Sequence, residues 1–267
     1  MSSSTLPPWR TVPRLALMRS AVGRRLWART RGRSSELAFW QAWLVGAPGT
    51  EEWAGDRELR FAASTELRDP VLRAEVERLP QESLSILDVG SGPVTNAGFC
   101  HPRKRISLVP VDPLADEYDR MLRAAGLEPP VRTHRVAGER LLDHFGAGRF
   151  DIAYACNSLD HSADPLRIVE NMVAVVRPGG VVLLRHAHRE GEERRYEGLH
   201  QWNFDVVDGD LVIWNSAVTI DVQSALGDRA SVETWLEESA QQQGQVLARL
   251  AIATLSATQR ESRSTET

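Results

Sequence analysis

Three groups of residues in this chain have types and spacings suited to chemistry. The first is Asp88-Val-Gly-Ser-Gly-Pro93, where an acid ends an apolar run and two glycines follow. Gly90 and Gly92 lack Cβ atoms, so the backbone around Ser91 can turn sharply and approach a ligand closely. A dinucleotide loop requires a third glycine, but Thr95 holds that place, and the acid before the turn disfavours a diphosphate. The pattern suits a ligand that carries positive charge, such as an amino-acid ammonium.

The second group consists of polar residues at the ends of later strand-like runs. Asp112 follows Ile106–Val111 and lies twenty residues beyond Gly92, the place from which an acid accepts hydrogen bonds from ribose hydroxyls in wound nucleotide sites. A helix cap before Pro113 is the plainer alternative. Gly138 and Glu139 offer close backbone approach and a carboxylate for an adenine amino group, although Glu139 also suits a helix N-terminus. Asn157 and Ser158 end the fourth run and should border the same ligand.

The third group is rich in histidine. Asp160 and His161 open the loop after that run, where a second substrate would meet the first. A histidine of near-neutral pKa suits proton abstraction, so His161 is the candidate base and Asp160 its orienting acid. His186 and His188 share one side of an extended segment. With His200, Trp202 and Asn203 they are candidates for an acceptor pocket, and Trp40 for its cover. Trp202 and Phe204 equally suit core positions on one strand face. The histidines could also hold a divalent ion, but no carboxylate-rich ligand set accompanies them, and no metal site is assigned.

The elements that must position these groups follow from periodicity. Strand-like runs fall near 84–89, 105–111, 131–136, 150–155 and 180–186. Helical stretches fall near 34–47, 69–79, 113–125 and 164–177, with shorter ones near 95–101 and 139–145. This alternation predicts a parallel sheet covered by helices on both faces. Asp208-Gly209 predicts a hairpin between 203–207 and 210–214. A helix over 231–242 and an apolar run over 245–256 are expected to close the domain.

Composition excludes several classes. The chain has 267 residues, 42% of them hydrophobic, enough for a sizeable core, and no apolar run approaches bilayer length. Two cysteines do not make a disulfide scaffold, which favours a reducing, cytoplasmic setting. The net charge of −4 conceals an asymmetry: residues 1–35 hold eight arginines and no acid. The rest is acidic, so no nucleic-acid partner is expected. Leu15, Met18, Val22 and Leu26 recur at helical spacing within residues 14–29. That segment could be a lid, a membrane-surface or protein contact, an organelle-targeting segment, or a helix docked on the fold.

Taken in order, these motifs resemble those of class I S-adenosylmethionine-dependent methyltransferases over about residues 82–190. Asp88–Pro93 resembles the family's first motif, Asp112 its ribose-binding acid, and Ala137–Glu139 its adenine-contacting segment. Phe150–Tyr154 and Val176-Arg-Pro-Gly-Gly-Val181 resemble its fourth strand and the entry to its fifth. The resemblance implies a Rossmann-like, doubly wound seven-stranded α/β sheet with the last strand antiparallel. It also implies S-adenosylmethionine as cofactor. The expected organisation is a basic helical segment over 1–33, a helical cap over 34–80, the methyltransferase domain over 81–257 and a tail over 258–267. The Asn/Asp-Pro-Pro-Tyr/Phe signature of many amino-group methyltransferases is absent after the fourth strand. The expected reaction is therefore O-methylation of a small-molecule acceptor, a sugar or specialised metabolite, with N- or C-methylation as the alternative. A dehydrogenase is disfavoured by Thr95 and Asp88, and a non-catalytic donor-binding scaffold remains a further class.

Overall fold

A computed structural model describes residues 22–23, 32–51, 54–238 and 243–253. The helix expected over 14–29 lies outside these residues apart from Val22 and Gly23, which are helical; the tail over 258–267 lies wholly outside them.

The centre is a seven-stranded sheet in the order β3-β2-β1-β4-β5-β10-β9. Its strands are β1 (Ser83–Val89), β2 (Arg105–Asp112), β3 (His134–Arg135), β4 (Phe150–Cys156), β5 (Val176–Ala187), β9 (Ala230–Glu237) and β10 (Gln245–Ile252). The first five are mutually parallel, while β10 runs antiparallel to both β5 and β9. A second, antiparallel sheet joins β6 (Asn203–Val207), β7 (Asp210–Trp214) and β8 (Thr219–Asp221). The β6–β7 hairpin was predictable from Asp208-Gly209, where both residues have positive φ.

Eight helices accompany the strands among the described residues. They are α1 (Arg33–Val45), α2 (Ala54–Phe61), α3 (Pro70–Arg78), α4 (Ala115–Ala124), α5 (Leu141–Phe145), α6 (Pro165–Val175), α7 (Glu190–Glu193) and α8 (Val222–Leu226). Local chemistry sets several boundaries. Asp69 caps α3 by accepting from Val71 and Leu72 N–H at 2.8 and 3.1 Å, with Pro70 as the first helical residue. Asp164 caps α6 in the same way before Pro165.

Strand alternation divides the core. On β1, Ile86 joins Leu67, Leu72, Val76 and Leu183 on one face, while Leu87 joins Val111, Ala153, Ile168 and Met172 on the other. α3 therefore packs on the back of the sheet. α1 lies elsewhere, in a cluster of Trp43, Leu44, Val94 and Leu122.

Two expected helices do not form. Residues 95–101 run as turns, because their backbone pairs with the segment before α3: Leu67 N–H donates to Cys100 O, and Phe99 N–H to Thr65 O. Residues 230–237 form β9 instead, since every residue there has a partner on β10, while residues 239–242 of the expected helix lie outside the described ones. The expected third strand shrinks to two residues, and α2 and β8 were not anticipated.

Candidate active site

The carboxyl ends of β1, β2 and β4 open into a cleft of about 1380 Å³. That exceeds the ~300–1,000 Å³ usual for a single small ligand, leaving room for two molecules side by side.

One wall is largely backbone. After β1, Gly90 and Gly92 take φ of 73° and 67°, and the Gly90 and Ser91 N–H groups donate to Val111 O at 2.8 and 3.1 Å. A Cβ on Gly90 would lie 2.4 Å from Ser158 Cβ, and one on Gly92 would lie 2.8 Å from the Trp40 ring. Asp88 is 2% exposed and accepts from Thr95 Oγ1 at 2.6 Å. Burial pushes its carboxyl up to about 6, against the Thr95 hydrogen bond and the Arg60 charge. Asp112 accepts from Gly92 N–H at 3.2 Å and Leu114 N–H at 2.8 Å, so it braces the turn it faces. Burial pushes it to about 7, because these two hydrogen bonds only partly offset the lost hydration.

Gly138, Glu139, Asn157 and Ser158 line the same cleft, as expected from the sequence. Asn157 has φ of 46° and accepts from Ala187 N–H at 2.8 Å, which fixes the exit from β4. Ser158 donates to Val89 O at 2.9 Å, tying β4 to β1.

Another part of the lining is made of side chains from three distant segments. His200 Nδ1 lies 2.8 Å from Asp160 Oδ2, and His161 Nε2 lies 3.4 Å from the same oxygen. The two ring nitrogens are 3.2 Å apart. From α1, Glu36 approaches His161 Nδ1 at 3.5 Å and accepts from Trp40 Nε1 at 2.7 Å. The backbone joins the two loops, Gln201 N–H donating to Asp160 O at 2.9 Å.

Electrostatics couples these groups. Burial opposes charge on Asp160, which is 3% exposed, but His161 and His200 outweigh it and hold the carboxyl at about 2. Burial also opposes charge on His161, yet Asp160, Glu36 and Glu190 raise its pKa above the ordinary value. The arrangement can hold a proton, or another cation, against a buried carboxylate.

Four expected acceptor residues lie outside the cleft. His186 is 1% exposed and stacks on Phe204 with centroids 3.9 Å apart. Burial lowers its pKa to about 4, so the ring is neutral. His188 pairs with Asp205 at 2.8 Å. The side that His186 on β5 shares with His188, one residue beyond the strand, therefore faces β6. Trp202 is a core residue whose Nε1 donates to Ser162 O at 3.1 Å. Asn203 is fully buried; it accepts from Glu192 N–H at 2.8 Å and donates to Tyr196 Oη at 2.9 Å. Trp40 and His200 do line the cleft. Glu36, Arg60 and Tyr118 line it too; Glu36 and Tyr118 had no sequence signal beyond membership of helical stretches, and Arg60 had none, since α2 was not expected.

A wound sheet of this strand order, with its ligand loop after β1, defines a class I methyltransferase fold. The sequence model of the methyltransferase domain family matches residues 60–223, more than half of the chain. The chain belongs to the class I S-adenosylmethionine-dependent methyltransferase family. It is 32% identical over 102 residues to a protein of Mycobacterium sp. (strain JLS) named an uncharacterized methyltransferase, covering 38% of each chain. A like-named protein of Mycolicibacterium gilvum (strain PYR-GCK) is 33% identical over 115 residues, covering 39% of each. The chain thus spans about two fifths of the length of the curated relatives it matches.

Among solved structures, the fold is similar to a chain of the complex between the Haloferax volcanii Trm112 methyltransferase activator and a methyltransferase. That pair has a TM-score of 0.51 and 16% identity over 83% of this chain and 98% of the other. The trans-methyltransferase CalH, solved with S-adenosylhomocysteine, has a TM-score of 0.51 and 14% identity over 80% and 66%. The backbone wall fits the family's cofactor by its own chemistry. The glycine cradle has no space for a Cβ, and the acid at the β2 tip faces it.

Proposed function

We propose that the protein transfers a methyl group from S-adenosylmethionine to a hydroxyl of a small molecule, a sugar or other specialised metabolite. The observation that carries this reading is the placement of two histidines on one buried carboxylate, in the same cleft as the glycine turn. Asp88, Gly90, Ser91, Gly92, Asp112, Gly138, Glu139, Asn157 and Ser158 would hold the donor. When bound, S-adenosylmethionine supplies a methyl group already activated by its sulfonium, so orientation can provide much of the acceleration.

The chain's own residues complete the task. Asp112 accepts hydrogen bonds from ribose hydroxyls, and Glu139 from the adenine amino group. His161 takes the proton of the acceptor hydroxyl, and Asp160 holds its ring in place. His200 and Trp40 border the acceptor. Within the cap expected over 34–80, α1 and α2 would act as a lid: Trp40 covers Gly92 and Arg60 stacks over Trp40 and Trp43.

Residues 14–29 would provide a contact for an anionic membrane surface or a protein. Among the described residues, no helix is long and apolar enough to cross a membrane. The free thiols of Cys100 and Cys156 support a cytoplasmic setting.

The test is incubation with isotopically labelled methyl donor and pooled metabolites, followed by identification of the labelled bond. Label on oxygen is expected. Label on nitrogen or carbon would replace the O-methylation reading, and failure to bind the donor at all would remove the enzyme reading.

A further inference from the structure

The geometry points to a divalent transition-metal site formed by Asp160, His161 and His200 on the acceptor wall of the cleft. Three ligand atoms converge there: Asp160 Oδ2, His161 Nε2 and His200 Nδ1, with edges of 2.8, 3.2 and 3.4 Å. Bonds of ~2.1 Å from one ion place neighbouring ligand atoms ~3.0 Å apart in an octahedron and ~3.4 Å apart in a tetrahedron. The triangle is thus the size of one coordination face.

Hydrogen bonding alone accounts for the triangle less well. With both ring nitrogens protonated, each faces Asp160 Oδ2 and the 3.2 Å nitrogen–nitrogen contact is left unbonded; with His161 Nε2 unprotonated, the His200 Nδ1 proton must serve two contacts. A cation satisfies all three lone pairs at once.

A second observation comes from the far side of His161. Its other nitrogen, Nδ1, faces Glu36 Oε2 at 3.5 Å. A metal-bound imidazole characteristically turns its remaining N–H to a carboxylate, which fixes the tautomer and strengthens the ligand. Glu36 itself is held by Trp40 Nε1. Below the triangle, Gln201 N–H to Asp160 O locks the two ligand-bearing loops together.

Two imidazoles and one carboxylate favour zinc, iron(II), cobalt or nickel over magnesium or calcium. Both histidines line the cleft, so the remaining coordination positions open towards the acceptor. An ion there would polarise an acceptor hydroxyl and let its proton pass to water, the task otherwise left to His161. That consequence rests on the methyl-transfer reading, whereas the binding itself does not.

The experiment titrates Zn²⁺, Co²⁺ and Mg²⁺ into metal-free full-length protein by calorimetry, with the Co²⁺ visible spectrum as a direct report of ligands. One Zn²⁺ or Co²⁺ per chain is expected, with Mg²⁺ far weaker. His200→Gln and Asp160→Asn should each weaken Zn²⁺ by more than ~100-fold, and Glu36→Gln by ~10-fold. Each variant should still bind S-adenosylmethionine, which shows that it is folded, and His188→Gln should bind Zn²⁺ normally. Absence of stoichiometric Zn²⁺ and Co²⁺ binding, or equal binding by His200→Gln and Asp160→Asn, would overturn the site. Zn²⁺ binding without donor binding would instead overturn the methyl-transfer reading and leave the metal site standing.

Discussion

The two walls of the cleft are built in different ways. The wall proposed for the donor is backbone turned by two glycines and braced by acids at adjacent strand tips, and every part of it lies between residues 88 and 158. The wall proposed for the acceptor is a meeting of side chains from α1, the loop after β4 and the segment after α7. The first kind of wall depends on the absence of atoms, because a single Cβ fills it. The second depends on charge, because one buried carboxylate faces two imidazole rings. A family can therefore keep one donor and change acceptors by altering only the second wall.

The hardest blow to this comparison is a Cβ in the donor wall. Gly90→Val should reduce donor affinity by more than ~100-fold, since a left-handed non-glycine residue costs ~1–2 kcal/mol before the clash with Ser158 is counted. Calorimetric titration of the donor checks this; normal affinity would show that backbone does not make the wall.

Asp160→Asn should act on the other wall alone. Turnover should fall by ~10²–10⁴, the range for loss of a positioned acid–base group, with donor affinity little changed. Comparison of single-turnover rates with donor titration separates the two effects.

Asp112→Asn should weaken donor binding by ~1–3 kcal/mol through lost hydrogen bonds. It also carries a pH signature. The folded pKa, about 7, lies above the unfolded value, so the folded state holds the proton more tightly. The resulting stability is fully present below about pH 4 and is lost as pH rises through about 7. Melting temperatures of the donor-free variant should therefore fall less over that window than those of the parent. Asp88, pushed to about 6, leaves part of the slope in place.

Trp40→Ala should weaken both ligands modestly, by ~1 kcal/mol each, because its ring borders Gly92 on one wall and Glu36 on the other. Separate donor and acceptor affinities would reveal whether the ring serves both. Smallest of all, His186→Leu should leave turnover intact and stability equal or higher, as its buried nitrogens have no protein partner among the described residues. A loss of activity there would return His186 to the acceptor pocket.

The histidines show where sequence reading stops. His186 on β5 and His188 just beyond it do share a side, as alternation requires, but that side packs against Phe204 and Asp205. Periodicity gives the face and not what lies opposite it. Trp202 likewise satisfied two readings, aromatic pocket edge and core strand, and only packing against Ser162 and the main core distinguishes them. The helix expected over 231–242 failed for a related reason. A segment of mixed pattern takes the form of its neighbour, and β10 offered a free edge along the whole of β9.

By itself, the sequence determined the wound sheet, the glycine turn and the acids at the strand tips. Each of these depends on residues close in the chain, where backbone sterics and strand period act directly. Tertiary structure alone decided that Glu36 and His200 would meet Asp160 and His161 at the edge of the cleft. Their meeting depends on how α1 and the segment after α7 close over β4. Long-range packing fixes that closure, and no local pattern records it.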